Sequence, residues 1–232
     1  MNGGGAMKRK DAMESRVVEN YLKAVFNARE WSDEPVTVGA LATRLGLSPS
    51  SVSELVRKLT VRGLLAHARY GAIELTPEGQ RIALAMVRKH RLIETFLVDY
   101  LGYTWDEVHE EAEDLEHAVS DTFIDRLAVR LGEPDHDPHG DPIPRSDGSL
   151  PDDDQLRLDA VDPGVRARVA RVSDSDPELL RQLDQLGITI GTDLRVNHHH
   201  DEYVDVDHNG TSVVLDRETA FAIRVVPKAS PS

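Results

Sequence analysis

The run His109-Glu110-Glu111-Ala112-Glu113-Asp114-Leu115-Glu116-His117 carries the clearest chemistry in the chain. Wound as a helix, it places His109, Glu113, Glu116 and His117 at i, i+4, i+7 and i+8, so two imidazoles and two carboxylates share one stripe. Such a stripe either holds a divalent cation or forms an acidic, solvated helix face. Upstream, Arg88-Lys89-His90-Arg91-Leu92-Ile93-Glu94 sets His90 and Glu94 at i and i+4. That pair is either a surface salt bridge or a further set of N and O ligands offered by a neighbouring antiparallel helix, as in metal sites of helical bundles. The chain has no cysteine, which excludes disulfides, thiolate zinc sites and iron–sulfur clusters and leaves nitrogen and oxygen as the available ligands.

These residues must be held by helices. Thr104 and Glu107 have capping-box spacing, and Val108, Ala112, Leu115 and Val119 form an apolar stripe beside the polar one, so a helix over about 106–130 is expected to border a core. A preceding helix is expected from Pro77 to about Leu101. Apolar residues in excess on these two helices (Leu92, Ile93, Phe96, Leu97, Leu101) call for a homodimer interface.

Net charge is −14, but unevenly spread. Residues 1–99 hold 15 Lys and Arg against 11 Asp and Glu, whereas the remaining 133 hold 12 against 30. The basic end contains a nucleic-acid signature. After a helix expected over 11–29, a short helix ends at Gly46. Ser48 then caps a second, with Pro49 at its first position and Ser50, Ser51, Glu54, Arg57 and Lys58 following. Small hydroxyl residues at the start of the second helix suit close approach to phosphates and base edges, as in a helix-turn-helix. An ordinary helical hairpin is the alternative. Residues 64–75 read as two strands turning at Gly71, a wing with Arg69 and Tyr70 at its tip. Residues 1–10 read as a mobile arm. No stretch has the apolar length of a membrane span and no signal peptide is visible, so a cytoplasmic protein without membrane contact is expected.

Residues 132–155, rich in Pro, Asp and Gly, read as a linker in which His136 and His139 are solvated. Beyond it, strands are expected near 165–172, 193–197, 202–206, 211–215 and 222–226, with a turn at His208-Asn209-Gly210 and a helix from Asp176-Pro177 to Gly187. Alternation along a strand leaves His198-His199-His200 as exposed, incidental histidines.

Taken together, the winged helix, Met86-Val87-Arg88-Lys89-His90-Arg91-Leu92, the segment from Val108 to Asp121 and Gly140-Asp141-Pro142-Ile143-Pro144 resemble the diphtheria-toxin-repressor family of metal-dependent repressors, most closely its manganese-responsive branch. The resemblance spans about residues 14–145, and more weakly the rest, which is similar to the SH3-like (FeoA-like) domain of longer members. It implies that Glu113, Glu116, His117 and His90 bind the regulatory metal, and that His90, Glu94 and His109 match an ancillary site, to which Asp174 or Asp176 would add a ligand from the C-terminal domain. Asn20 stands where the manganese branch has an Asp, so a neutral carbonyl oxygen replaces a charged ligand there; Lys23 disfavours a binuclear site. Glu113, a harder ligand than the Cys or Met of the iron branch, favours Mn²⁺ on ligand type.

The expected fold is mainly α (α+β): a winged helix-turn-helix over 1–82, a helical dimerisation and metal-binding domain with a Pro-rich linker over 83–150, and a small SH3-like β-barrel over 151–232. The expected function is a Mn²⁺- or Fe²⁺-dependent repressor, not an enzyme, whose homodimer binds a palindromic double-stranded DNA operator through Ser48, Ser50, Ser51, Glu54, Arg57, Arg69 and Tyr70. A metal-independent DNA-binding regulator and a helical-bundle metalloenzyme are the alternatives.

Overall fold

The computed structural model describes residues 3–68, 71–152 and 154–228, with side chains from Ser15 onward. The wing-tip residues Arg69 and Tyr70 lie outside the described residues. The chain forms two compact units. One holds the residues up to Lys89 together with Pro144–Ser149; the other holds His90–Ile143 and the chain from Leu150.

In the first unit, α1 (Gly3–Trp31) supplies Leu22 and Val25 to the core, α2 (Val38–Leu45) supplies Leu41, and α3 (Pro49–Val61) supplies Val52, Val56 and Leu59. The α2–α3 turn has the local chemistry read from the sequence. Gly46 takes φ 62° to end α2, and the Ser48 hydroxyl accepts a hydrogen bond from the Ser51 amide at 3.2 Å to start α3. The strands β1 (Leu65–His67) and β2 (Ile73–Leu75) pair antiparallel as a wing. Helix α4 (Pro77–Leu101) leaves β2 directly and presses onto the wing, because a Cβ at Gly79 would collide with the Leu64 carbonyl oxygen. The described part of the stretch read as an arm is helical: α1 already runs from Gly3, although Gly3, Gly4 and Gly5 are poor helix formers.

In the second unit, the helix expected over 106–130 is two helices, α5 (Val108–Glu116) and α6 (Asp121–Leu131). The break follows from Ser120, whose hydroxyl accepts from the Phe123 amide and starts a new helix rather than continuing the old one. Half of the expected capping box forms, the Thr104 amide donating to the Glu107 carboxylate at 3.2 Å. Leu92, Ile93 and Leu97 pack against Val108, Ala112, Ile124, Leu127 and Ile143 as one core.

The chain from residue 156 builds a six-stranded antiparallel sheet: β3 (Leu156–Arg157), β4 (Arg166–Val172), β5 (Asp193–His199), β6 (Tyr203–His208), β7 (Thr211–Asp216) and β8 (Ile223–Pro227), in the order β3-β8-β4-β5-β6-β7. Helix α7 (Pro177–Gln185) buries Leu180 and Leu183 in the same core, and Trp105 packs against it. The β6–β7 turn is the expected one, with Asn209 and Gly210 both at positive φ. The mixed α+β architecture is therefore as read, down to five of the six strands. The two-residue β3 and the five-residue α8 (Arg217–Phe221) are too short to leave a periodic signal.

Candidate metal centre

Helix α4 carries His90 and Glu94 one turn apart and buries both, at 5 % and 0 % exposure. Opposite them α5 presents His109. His90 Nε2 lies 2.9 Å from Glu94 Oε1 and 3.1 Å from His109 Nδ1, and His109 Nδ1 lies 2.9 Å from Asp174 Oδ2, in the loop after β4. Thus His90, Glu94, His109 and Asp174 turn one donor atom each into a common space, all within 4.8 Å of one another.

The other ring nitrogen of His90 points away from this group, donating to Glu116 Oε2 at 2.7 Å. Glu116 is itself buried, and its second oxygen lies 3.5 Å from His117 Nε2. Glu113 is half exposed at the rim, 3.7 Å from His109 Nε2. His90 therefore stands between two groups of potential ligands, Glu94, His109 and Asp174 on one side and Glu116 and His117 on the other. Asn20 is exposed on α1, in the first unit.

One reading is overturned. His136 is exposed, but His139 is fully buried. Its Nε2 donates to the Trp105 carbonyl at 2.6 Å, its ring stacks on Trp105, and its Nδ1 lies 3.9 Å from Glu94 Oε2. With Nε2–H committed to that carbonyl, Nδ1 is the nitrogen turned toward Glu94, and it offers a lone pair once its proton is displaced. Glu94, Asp137 and His139 form a second convergent set that shares Glu94 with the first. Residues 135–143 are consequently not a solvated linker. Asp137 folds them by accepting from the His139 and Asp141 amides, at 2.8 and 2.9 Å. Arg91 donates to the Pro142 carbonyl at 2.6 Å, and Arg171 of β4 is paired with Asp141. The Val172 amide donates to the His139 carbonyl, and Gly140, at φ 81°, sits where a Cβ would collide with the Ala170 carbonyl oxygen. The overlooked signal was Pro138-His139-Gly140-Asp141: a Pro and a Gly around a histidine mark a fixed turn as readily as a loose one.

Electrostatics agree with a cation site. Neither oxygen of Glu94 receives an aligned hydrogen bond, and neither does His139 Nδ1, although all three atoms are buried. Burial alone would raise the Glu94 pKa, yet the imidazoles of His90, His109 and His139 hold it well below the carboxylate range. Burial opposes charge on His109, but Asp174 and Glu94 outweigh it and push its pKa up to about 11. His139, likewise buried, is raised to about 9 by Glu94, Asp137 and Asp174. Asp137 goes the other way, its pKa driven well above the usual value by burial and then by Asp141 and Glu94. Close-packed imidazoles and carboxylates with orphaned oxygens, all hard or borderline donors, fit a divalent ion such as Mn²⁺ or Fe²⁺.

On the first unit, Ser48, Ser50, Ser51, Glu54 and Arg57 are all at the surface, on or just before the first three turns of α3, although Ser48 is engaged as the cap. Glu54 pairs with Lys58 at 2.8 Å, which offsets its repulsion toward an approaching phosphate.

A winged helix-turn-helix followed by helices that gather imidazoles around buried carboxylates is the build of a metal-regulated transcription factor. Residues 13–73 match the model of the iron dependent repressor N-terminal DNA binding domain, residues 76–145 that of the iron dependent repressor metal binding and dimerisation domain, and residues 156–227 that of the FeoA domain. The diphtheria toxin repressor of Corynebacterium glutamicum is 32 % identical over 217 residues, covering 89 % of this chain and 94 % of the relative. Among solved structures, a manganese-dependent transcriptional repressor in complex with manganese aligns with TM-score 0.86 at 47 % identity, covering 91 % of this chain and all of that one. The manganese regulator SloR aligns at 0.80 and 34 % identity, covering 91 % and 98 %. The chain belongs to the diphtheria toxin repressor family of metal-dependent repressors.

Proposed function

We propose that this chain is a homodimeric transcriptional repressor whose affinity for a palindromic operator is set by Mn²⁺ or Fe²⁺. The observation that carries the proposal is Glu94, a buried carboxylate with two unmatched oxygens among three imidazoles, in a chain that also holds a winged helix. His90, Glu94, His109 and Asp174, with His139 beside them, would hold one ion. The ion supplies the positive charge that compensates the clustered carboxylates.

The protein's own residues do the rest. His90 keeps its Nε2 lone pair for the group around Glu94 while its Nδ1–H orients Glu116, so filling one group bears on the other. Glu113, Glu116 and His117, with Asn20, are assigned from the sequence to the regulatory set. Ordering these side chains stabilises the helical unit, and a coupling of about 1–3 kcal/mol to the DNA-binding state would change operator affinity roughly 5–150-fold. Leu92, Ile93 and Leu97, expected at a dimer interface, are buried in the subunit's own core, which leaves Leu101 of that set, with Tyr100, Phe123 and Val129, as the exposed apolar surface on α4 and α6 that a second copy would cover.

Electrophoretic mobility shift with Mn²⁺ and with chelator, repeated for Glu116→Ala, tests the reading. Metal-dependent retardation that the variant loses is expected. Equal binding with and without metal would favour a metal-independent regulator, and no DNA binding in either state would refute the repressor.

A further inference from the structure

The outward face of the C-terminal sheet holds a cleft of about 420 Å³ that the metal centre does not use. Its lining includes Arg166 of β4, Arg195 of β5, Asn197, Asp207 and Asn209. Arg166 and Arg195 are register partners on adjacent antiparallel strands, so their Cβ atoms stand roughly 5 Å apart on one face. Two like charges directly opposite one another oppose pairing of the strands. The other charges of the cleft are matched: Asp193, which also lines it, pairs with Arg168 and with Lys228, a further lining residue. Arg195 also has Asp207 as its register partner on β6, yet they form no ion pair; the Asp207 carboxylate accepts instead from the Gly210 amide at 3.2 Å. Among the described residues, neither Arg166 nor Arg195 has a hydrogen-bond or ion-pair partner through its guanidinium.

We infer that this cleft is a receptor for a small oxyanion, a phosphate-like or dicarboxylate group, gripped between Arg166 and Arg195. Guanidinium forks match such groups bidentately, and an anion between two opposed forks turns their repulsion into a shared attraction. The side-chain amides of Asn197 and Asn209 stand at the edge, each with one N–H already turned to a neighbour (Asp205 and His208) and a second left to meet a ligand oxygen.

Isothermal titration of the full chain with sodium sulfate and, separately, with disodium succinate, each against sodium chloride at equal ionic strength, tests this. One saturable site per chain is expected, and whichever anion binds tells the phosphate-like class from the dicarboxylate class. Arg166→Gln and Arg195→Gln should each weaken binding at least tenfold. Arg168→Gln, which removes an arginine already matched by Asp193, should leave it unchanged. Because the double variant Arg166→Gln/Arg195→Gln loses a repulsive pair, it should melt no lower than the parent in chloride, which separates lost binding from lost fold. A response no larger than that to chloride, or one retained in the double variant, overturns the inference. So does a loss of operator affinity in the double variant without any binding of sulfate or succinate, which would assign the two arginines to DNA phosphates.

Discussion

Glu94 is where single residues decide most. Its charge is tolerated in the interior because three imidazoles face it, so Glu94→Gln should keep the shape but lower metal affinity about 10–100-fold, measured by calorimetric titration with Mn²⁺. Protonation gives a second test. The pKa of His139 is raised to about 9 and that of His109 to about 11, both above the ordinary 6.5. A raised histidine adds stability that is complete below its unfolded pKa and is lost as pH climbs through its folded pKa. Chelator-treated protein should therefore lose melting temperature from about pH 6.5 upward, the His139 contribution being exhausted near pH 9 and that of His109 near pH 11, while Mn²⁺-loaded protein, in which the ion has replaced those protons, should lose less. His90, Glu94 and His109 were legible in the sequence because helical spacing aligns them. Asp137 and His139 were not, because they belong to a stretch whose Pro and Gly content reads as a linker, and only packing against β4 fixes it. Asp174 became a candidate through family resemblance alone, since a lone Asp in a loop has no periodicity to betray it.

Helices and strands were legible wherever caps and alternation coincide. Gly46 ends α2, Ser48 and Pro49 start α3, and Asp176 and Pro177 start α7, each a short-range signal. The α5–α6 break was missed because the apolar stripe runs through it and a single Ser decides against continuity. Replacing that cap, Ser120→Ala, should cost about 1 kcal/mol, read as a lower urea midpoint. Between elements, the firmest tie is that of the 137–141 turn to β4. Arg171 and Asp141 are both about 3 % exposed, so Arg171→Met removes the nearer of two guanidinium partners of a buried carboxylate, the other being Arg91 at 3.8 Å, and should cost up to about 3 kcal/mol. Its effect on metal affinity should exceed that of Arg168→Met, because the first releases the turn bearing Asp137 and His139 and the second does not.

For the whole molecule, the charge asymmetry read from composition has a structural counterpart: the basic third contains the winged helix and the acidic remainder the ligands and the sheet. If the winged domain makes most of the DNA contacts, raising salt should weaken operator binding steeply, and Arg57→Ala should flatten the log–log slope by about one unit. The order of the folded parts could be read along the chain, but the grouping of Pro144–Ser149 with the first unit could not, because it reflects three-dimensional proximity rather than local pattern. The glycine at 140 has one further consequence. With no room for a side chain above Ala170, the turn and the strand beneath it behave as a template with fixed length, so peptide insertions for tags or sensors should be refused anywhere from 135 to 143. They should be accepted a few residues later, around Ser146-Asp147-Gly148, where the backbone meets solvent. Engineers wishing to graft a fluorophore onto this sensor have that short window just after the turn.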